Sequence, residues 1–411
     1  MSQNDQLYDF LKAVYDQITP ERVYSWIKAD SNGRGILRRM DYAYGFSQEK
    51  HPELKTYKED NNPYGLLNIL TAVTNERGVK YCELADNEIN EVISWNESSC
   101  SKLKQSLAQY MTANYSMFDT VPNFTFEDCL GDIEEDVSIF SICQIPTATR
   151  FYRLREMAYS RGRRVLDFYH IPFTHRYLMG TYRYSIPGYP SLYAASSIYG
   201  AWEEMGRKSV MNYGYIAFKT KNQIHLLDLR WRFDNSIKEN KEDLMHYIQR
   251  LPVIIACSMQ VRHSRDKFVP EYIIPQQIFK WLMGKLLVCI KDFPTTSTPV
   301  WGITYTSNKD TGWNELTNNG KYGAQIKFED ITNYALLAYL PLDGEFSQYS
   351  YDLGENLYVA TPRWLKEQPS ARDCSYNTLN AMQRHFENPR LSWRGLGEEI
   401  KKVEKLTNQK I

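Results

Sequence analysis

An arginine, a tyrosine, two serines and two glutamates lie along one stretch of the chain, HIPFTHRYLMGTYRYSIPGYPSLYAASSIYGAWEEMGR at 170–207, with small residues between the polar ones. Arg183 stands ten residues before Tyr193, and Tyr193 eleven before Glu204. A guanidinium presents its donors in a rigid fork that suits diphosphate oxygens. Tyrosine offers a face to stack on and a hydroxyl to bond with. A carboxylate beside a ribose can accept from its hydroxyls and stabilise positive charge developing on the ring. Residues of these types, at this spacing, suit a nucleotide sugar.

Positioning them requires a strand–turn–strand–helix path. Thr181 to Ile186 reads as a strand carrying Arg183, Pro187-Gly188 as a turn, and Ser191 to Ala195 as a second strand. Either Ser196 or Ser197 can cap the helix that follows. From Ser197, seven residues turn a helix by about 700°, so Glu204 falls almost above Ser197, with Gly200 and Ala201 on the same side. Ile198, Trp202 and Met205 form the opposing apolar stripe. Glu203 is predicted to face the rim or solvent. A face of Ser, Gly, Ala and Glu buries little apolar area and admits something flat or polar, although the same pattern also describes an ordinary solvent-facing helix.

These residues resemble the RES domain family. FYRLR at Phe151 to Arg155, GTYRYSIPGYPSLY at Gly180 to Tyr193 and the Ser197–Glu204 pair follow the family's order and spacing. WEE at Trp202 to Glu204, FVPEYIIPQ at Phe268 to Gln276 and GITYTS at Gly302 to Ser307 are similar to a longer branch of it. The resemblance covers 145–340, about half the chain. It implies an ADP-ribosyltransferase-like split β-sheet and cleavage of the nicotinamide–ribose bond of NAD+, by water or inorganic phosphate, as a toxin or defence effector. It further implies that Arg183 holds the phosphates, Tyr193 contacts the nicotinamide ribose and Glu204 stabilises the ribosyl cation. Arg153, Arg155, Tyr184, Ser196 and Ser197 are the accompanying candidates for substrate binding. The chain departs from the family pattern in its third element: Val269-Pro270-Glu271-Tyr272 places Glu271 where a serine aligns. Ser307 or Ser197 could substitute, or Gln276 or Tyr272 could supply the hydrogen bond. NAD+ is expected as substrate and no cofactor is required. A mono-ADP-ribosyltransferase acting on a protein, and a catalytically degenerate nucleotide-binding module, are the alternatives.

Composition frames this reading. In 411 residues, 49 Lys+Arg balance 49 Asp+Glu, so the chain has no polyelectrolyte reason to bind nucleic acid. Cys82, Cys100, Cys129, Cys143, Cys257, Cys289 and Cys374 form no CxxC pair, and their scatter fits reduced thiols and a cytoplasmic location. The N-terminus lacks the regions of a signal peptide, and no run approaches the roughly 18 apolar residues of a membrane span. His170 and His175 lack further ligands at useful spacing and read as structural, so no metal is expected. Arg164 to His170 also matches the Arg-x₄₋₆-His spacing of HEPN nucleases, a pattern that chance produces readily. The family's small toxins imply an antitoxin or regulatory protein as partner, and oligomerisation is left open.

The sequence predicts an α+β protein with a mainly helical N-terminal domain at 1–140, a RES domain at 146–345 and a partly helical extension at 346–411. Leu7, Phe10, Leu11, Val14, Tyr15 and Ile18 recur at helical spacing. Thr19-Pro20 reads as the N-cap and first residue of a second helix. Ile89, Val92 and Ile93 mark one further helix, and Leu103, Leu107, Tyr110 and Met111 another. Strands are expected at 213–220, 224–229, 301–305 and 334–339, helices near 242–257 and through Trp281, and a charged terminal helix within 391–406.

Overall fold

The computed structural model describes residues 3–28, 35–46, 62–76, 83–111, 142–156, 164–207, 213–261, 268–292, 299–309, 313, 326–338, 348–364 and 376–408. The chain forms two compact units, and both are discontinuous in sequence. The first comprises Met1–Ser141 with Trp231–Pro275, and the second Ile142–Arg230 with Gln276–Ile411. Compactness thus groups 231–275 with the N-terminal helices and 346–411 with the sheet, unlike blocks drawn along the chain.

The first unit is helical. It contains α1 (Gln3–Asp16), α2 (Pro20–Ile27), α3 (Ile36–Tyr44), α4 (Leu66–Glu76) and α5 (Glu83–Met111). Leu7, Phe10, Leu11, Val14 and Tyr15 of α1, and Ile18 beyond it, are all buried, as their spacing predicts. Thr19 caps α2, its side chain accepting from the Arg22 N–H, with Pro20 in the first turn. The two helices expected between 89 and 111 are one. No Gly or Pro interrupts that segment, and Asn96, Ser99 and Cys100 continue its buried side between the apolar groups. A later helix, α7 (Lys241–Ser258), runs through this unit. The Tyr44 hydroxyl donates to the Pro252 carbonyl at 2.9 Å, and Trp95 Nε1 to the Gln249 carbonyl at 3.1 Å, tying α3 and α5 to it. Arg39 of α3 pairs with Glu271 at 2.5 Å and donates to the Gln260 carbonyl at 2.9 Å, all within the same unit.

The second unit is built on a mixed sheet. Its strands are β1 (Ile142–Ile145), β2 (Arg150–Glu156), β3 (Ser191–Ala195), β4 (Tyr213–Thr220), β5 (Ile224–Leu229), β6 (Val300–Thr306), β7 (Thr332–Leu337), β8 (Leu357–Val359), β9 (Arg363–Trp364) and β10 (Arg394–Gly395). Their order is β1-β5-β6-β7-β3-β2-β4-β8-β10, with β9 also paired to β4. Only β5 and β6 run parallel among the described pairs. The sheet narrows at its middle, where β2 and β3 share the single register pair Tyr152↔Ala195. On either side of this join lie β1-β5-β6-β7-β3 and β2-β4-β8-β10.

Side chains alternate between the two faces of a strand, and here each face has its own core. Phe151, Leu192, Ala194, Ile216, Phe218, Tyr334 and Leu336 pack on one. Tyr152, Leu154, Ala195, Tyr213, Tyr215 and Ala217 pack on the other, together with Ile198, Tyr199, Ala201 and Trp202 of helix α6 (Ile198–Glu204). Coverage on both faces explains why β4, β5, β6 and β7 read as nearly continuous apolar runs. Helix α8 (Ile273–Asp292) carries the chain from the first unit into the second. The remaining helices of the second unit are α9 (Tyr351–Glu355), α10 (Tyr376–Arg384) and α11 (Leu396–Asn408).

Several expectations shift in register. The strand expected at 334–339 is Thr332–Leu337, and the terminal helix begins at Leu396 because β10 precedes it. The strand expected at 181–186 is absent. Tyr182 and Ser185 form an isolated bridge around a tight turn that holds Arg183 and Tyr184. Side chains satisfy this turn in place of a neighbouring strand.

Candidate active site

Arg183 stands in that turn and is buried. Three hydrogen bonds with two side chains hold the turn. The Tyr184 N–H donates to the Tyr193 hydroxyl at 3.1 Å, while Gln276 Nε2 donates to the Tyr182 carbonyl at 2.9 Å and the Ser185 carbonyl at 3.2 Å. Gln276 and the Tyr193 hydroxyl therefore position Arg183 by fixing its backbone. The Tyr184 ring lies 4.7 Å from that of Tyr305.

Glu204 ends α6. Its Oε1 accepts from the Ser307 hydroxyl at 2.6 Å and from Asn333 Nδ2 at 2.7 Å. Ser307 is itself fixed: its N–H donates to the Ile331 carbonyl at 2.8 Å, and its carbonyl accepts from Trp313 Nε1 at 2.7 Å. Asn333 pairs in register with Ala195 on β3 and Tyr305 on β6, so these three side chains share a sheet face. The buried Tyr305 phenol has a pKa raised well above its ordinary value, first by desolvation and then by the nearby Glu204, Tyr193 and Tyr184; Arg183 opposes the shift. Tyr305 consequently stays protonated at neutral pH, and its surroundings identify Arg183, Tyr184, Tyr193 and Glu204 as one electrostatic neighbourhood.

The other predicted residues divide by what they bind. Arg153 Nη1 donates to the Tyr193 carbonyl at 3.0 Å, and Arg155 donates to the Asp167 carbonyl. Burial, reinforced by the Arg155 cation, lowers the pKa of Arg153 to about 10. Ser196 donates to the Glu329 carbonyl. Ser197 is the N-cap of α6, accepting from the Gly200 N–H at 2.8 Å and donating to the Asp330 carbonyl at 2.5 Å. Its hydroxyl is committed to structure, and the serine that meets Glu204 is Ser307. The close approach permitted by Gly200 is likewise made by the protein itself, since a Cβ there would lie 2.6 Å from the Asp330 carbonyl oxygen.

Glu203 does not face solvent. It is buried and forms an ion pair with Arg207, and the Tyr199 hydroxyl donates to it at 3.1 Å. Partners one turn away on α6 and just past its end compensate the charge and make the buried position tenable. Glu271, which the RES resemblance aligns with a serine, is also a structural carboxylate, buried against Arg39 in the helical unit. Tyr272 follows it in a 3₁₀ turn (Pro270–Tyr272) of that unit. His170 is fully buried, with Nδ1 bonded to the Ile171 carbonyl at 2.8 Å and Nε2 accepting from the Ser350 N–H at 2.7 Å. Desolvation pushes its pKa down to about 3, so this histidine is neutral. Among the described residues, no three His, Cys, Asp or Glu side chains gather as metal ligands, and no helix is long and apolar enough to cross a membrane.

Tyr305 and Asn333 were not singled out from the sequence. The alternation Tyr305-x-Ser307 carries a signal for the first, because the strand period puts both on one face. For Asn333 the signal is a lone amide inside the apolar run TNYALL.

No family model matches the chain, and no solved structure matches it. A Bacillus subtilis (strain 168) protein named "Putative toxin YopC" is 29% identical to it over 238 residues, covering 54% of this chain and 50% of that protein. The chain thus spans about half the length of this curated relative.

Proposed function

We propose that the chain is a toxin of the RES type whose second unit, an ADP-ribosyltransferase-like sheet, cleaves the nicotinamide–ribose bond of NAD+. The observation that carries this reading is the Glu204 carboxylate, clamped on one oxygen by Ser307 and Asn333 in the electrostatic neighbourhood of Arg183 and Tyr193. The name of the Bacillus subtilis relative supports the toxin role. In the reaction, the glycosidic carbon–nitrogen bond breaks and nicotinamide leaves with the bonding pair. Glu204 stabilises the resulting charge on the ribose, and Arg183 binds the diphosphate. Ser307 takes the place of the family serine. Water then gives ADP-ribose, or inorganic phosphate gives its 1″-phosphate, and either nucleophile releases a proton.

The test is nicotinamide release by the purified protein, with and without phosphate, beside Glu204→Gln. Losing preorganised charge stabilisation costs roughly a hundredfold to a thousandfold in rate. Release by the wild type that falls by that factor in the variant supports the reading. Equal release by both proteins refutes the role of Glu204. No release under either condition refutes cleavage and favours a nucleotide-binding module.

A further inference from the structure

We infer that Tyr182 and Arg153 form a purine-nucleotide subsite beside Arg183, with the base stacked on the Tyr182 ring and a phosphate on the Arg153 guanidinium. The ligand class follows from the function proposed above; the residues follow from two separate observations.

The first is the Tyr182 ring. It is 52% exposed although its backbone is firmly held, through the bridge to Ser185 and the bond from Gln276 Nε2. Its hydroxyl end lies against Gly180, where an added Cβ would sit 3.4 Å from the Tyr182 oxygen. Its ring meets Tyr193 edge-on, with centroids 6.1 Å apart. Tyr193 is thereby shared between this ring and the neighbourhood of Glu204. A fixed ring that spends so much apolar surface on solvent gains nothing for folding and is preorganised for stacking.

The second is the charge beside it. Arg153 and Tyr182 meet the same residue, Tyr193, the guanidinium at its carbonyl at 3.0 Å and the ring edge-on at 6.1 Å. Arg153 donates to the Tyr193 carbonyl and forms no ion pair among the described residues. A partly buried guanidinium without a carboxylate is costly to keep, and an anionic ligand would compensate it bidentately. An exposed aromatic face and a guanidinium without an ion pair among the described residues, joined through Tyr193, match a nucleoside phosphate, which carries both complementary groups.

Calorimetric titration with AMP and with ribose 5-phosphate, on the wild type, Tyr182→Phe and Tyr182→Ala, tests the assignment. Base–aromatic stacking corresponds to about 5- to 150-fold in affinity. AMP binding weakened by that factor in Tyr182→Ala, retained in Tyr182→Phe, with ribose 5-phosphate indifferent to both changes, is the expected result. AMP binding equally tight in Tyr182→Ala, or absent from the wild type, overturns the subsite. Nicotinamide release separates the two proposals. AMP binding through Tyr182 without any release leaves the subsite standing and removes the cleavage reading. Release with a KM for NAD+ unchanged by Tyr182→Ala does the reverse.

Discussion

Replacing Glu271 by alanine removes the carboxylate that sits 2.5 Å from Arg39 Nη2, where both side chains are about 5% exposed. At that separation and an effective dielectric constant of about 20, the Coulomb attraction is about 7 kcal/mol. Dehydration of the two ions offsets a large part of it. What the mutation leaves behind is a buried guanidinium that keeps the Gln260 carbonyl but has lost this carboxylate, and breaking such a pair costs about 3–5 kcal/mol. The unfolding constant of the helical unit should therefore rise by roughly two to four powers of ten. Glu271→Gln keeps the shape and loses the charge, and should cost about 1.5–3 kcal/mol, the worth of a charge-assisted hydrogen bond. Arg39→Met combined with Glu271→Leu should recover most of the loss, because no ion then remains to be desolvated. Urea unfolding followed by far-ultraviolet circular dichroism, arranged as a double-mutant cycle, measures each term. Nicotinamide release is measured in parallel, under conditions where every variant is folded. The assignment of Glu271 to structure is refuted by a Glu271→Ala cost below about 1 kcal/mol. It is equally refuted if a stably folded Glu271→Gln loses activity as Glu204→Gln does, since Glu271 would then act in the chemistry and not only in folding.

Three further outcomes follow from the sheet unit. The pKa of His170 lies at about 3, below its unfolded value of 6.5, so the unfolded chain binds the extra proton between those pH values. Its contribution to stability is complete above pH 6.5 and declines as pH falls towards 3. Wild type should lose about 2 kcal/mol more than His170→Gln between pH 7 and pH 5 in denaturant melts, and parallel pH profiles would contradict this. Gly200→Ala should gain about 1 kcal/mol of helix propensity yet lose about 1–3 kcal/mol to overpacking, because its Cβ meets the Asp330 carbonyl at 2.6 Å. A raised melting temperature would show that α6 can shift. Ser307→Ala removes one of two donors to Glu204 and should slow nicotinamide release about tenfold or more, with Ser307→Thr restoring most of it; an unchanged rate would make the Ser307 contact incidental to the chemistry.

Local pattern determined much of this protein. The apolar spacing of 7–18, the Thr19-Pro20 start of α2 and the strands at 191–195, 213–220 and 224–229 are legible because each rests on periodicity or on a capping residue that acts within one turn. The candidates Arg183, Tyr193 and Glu204 are likewise visible as residue types at suggestive spacing, whereas Ser307 enters only through the family resemblance, as one of several substitutes. Their partners are not. Ser197 looks like the companion of Glu204 on a helical projection, but its hydroxyl donates to the Asp330 carbonyl, 133 residues away. Glu204 is instead held by Ser307 and Asn333, which are 103 and 129 residues from it in sequence. Glu203 looks solvent-facing from its angle on α6, and the packing of that helix decides otherwise. Arg183 looks like a strand residue until Gln276 and Tyr193 close its turn. Sequence spacing fixes which side of its own element a residue occupies, because the backbone period is local. Which distant group satisfies each buried polar atom depends on the register of β3, β7 and β6, and only the assembled sheet sets that register.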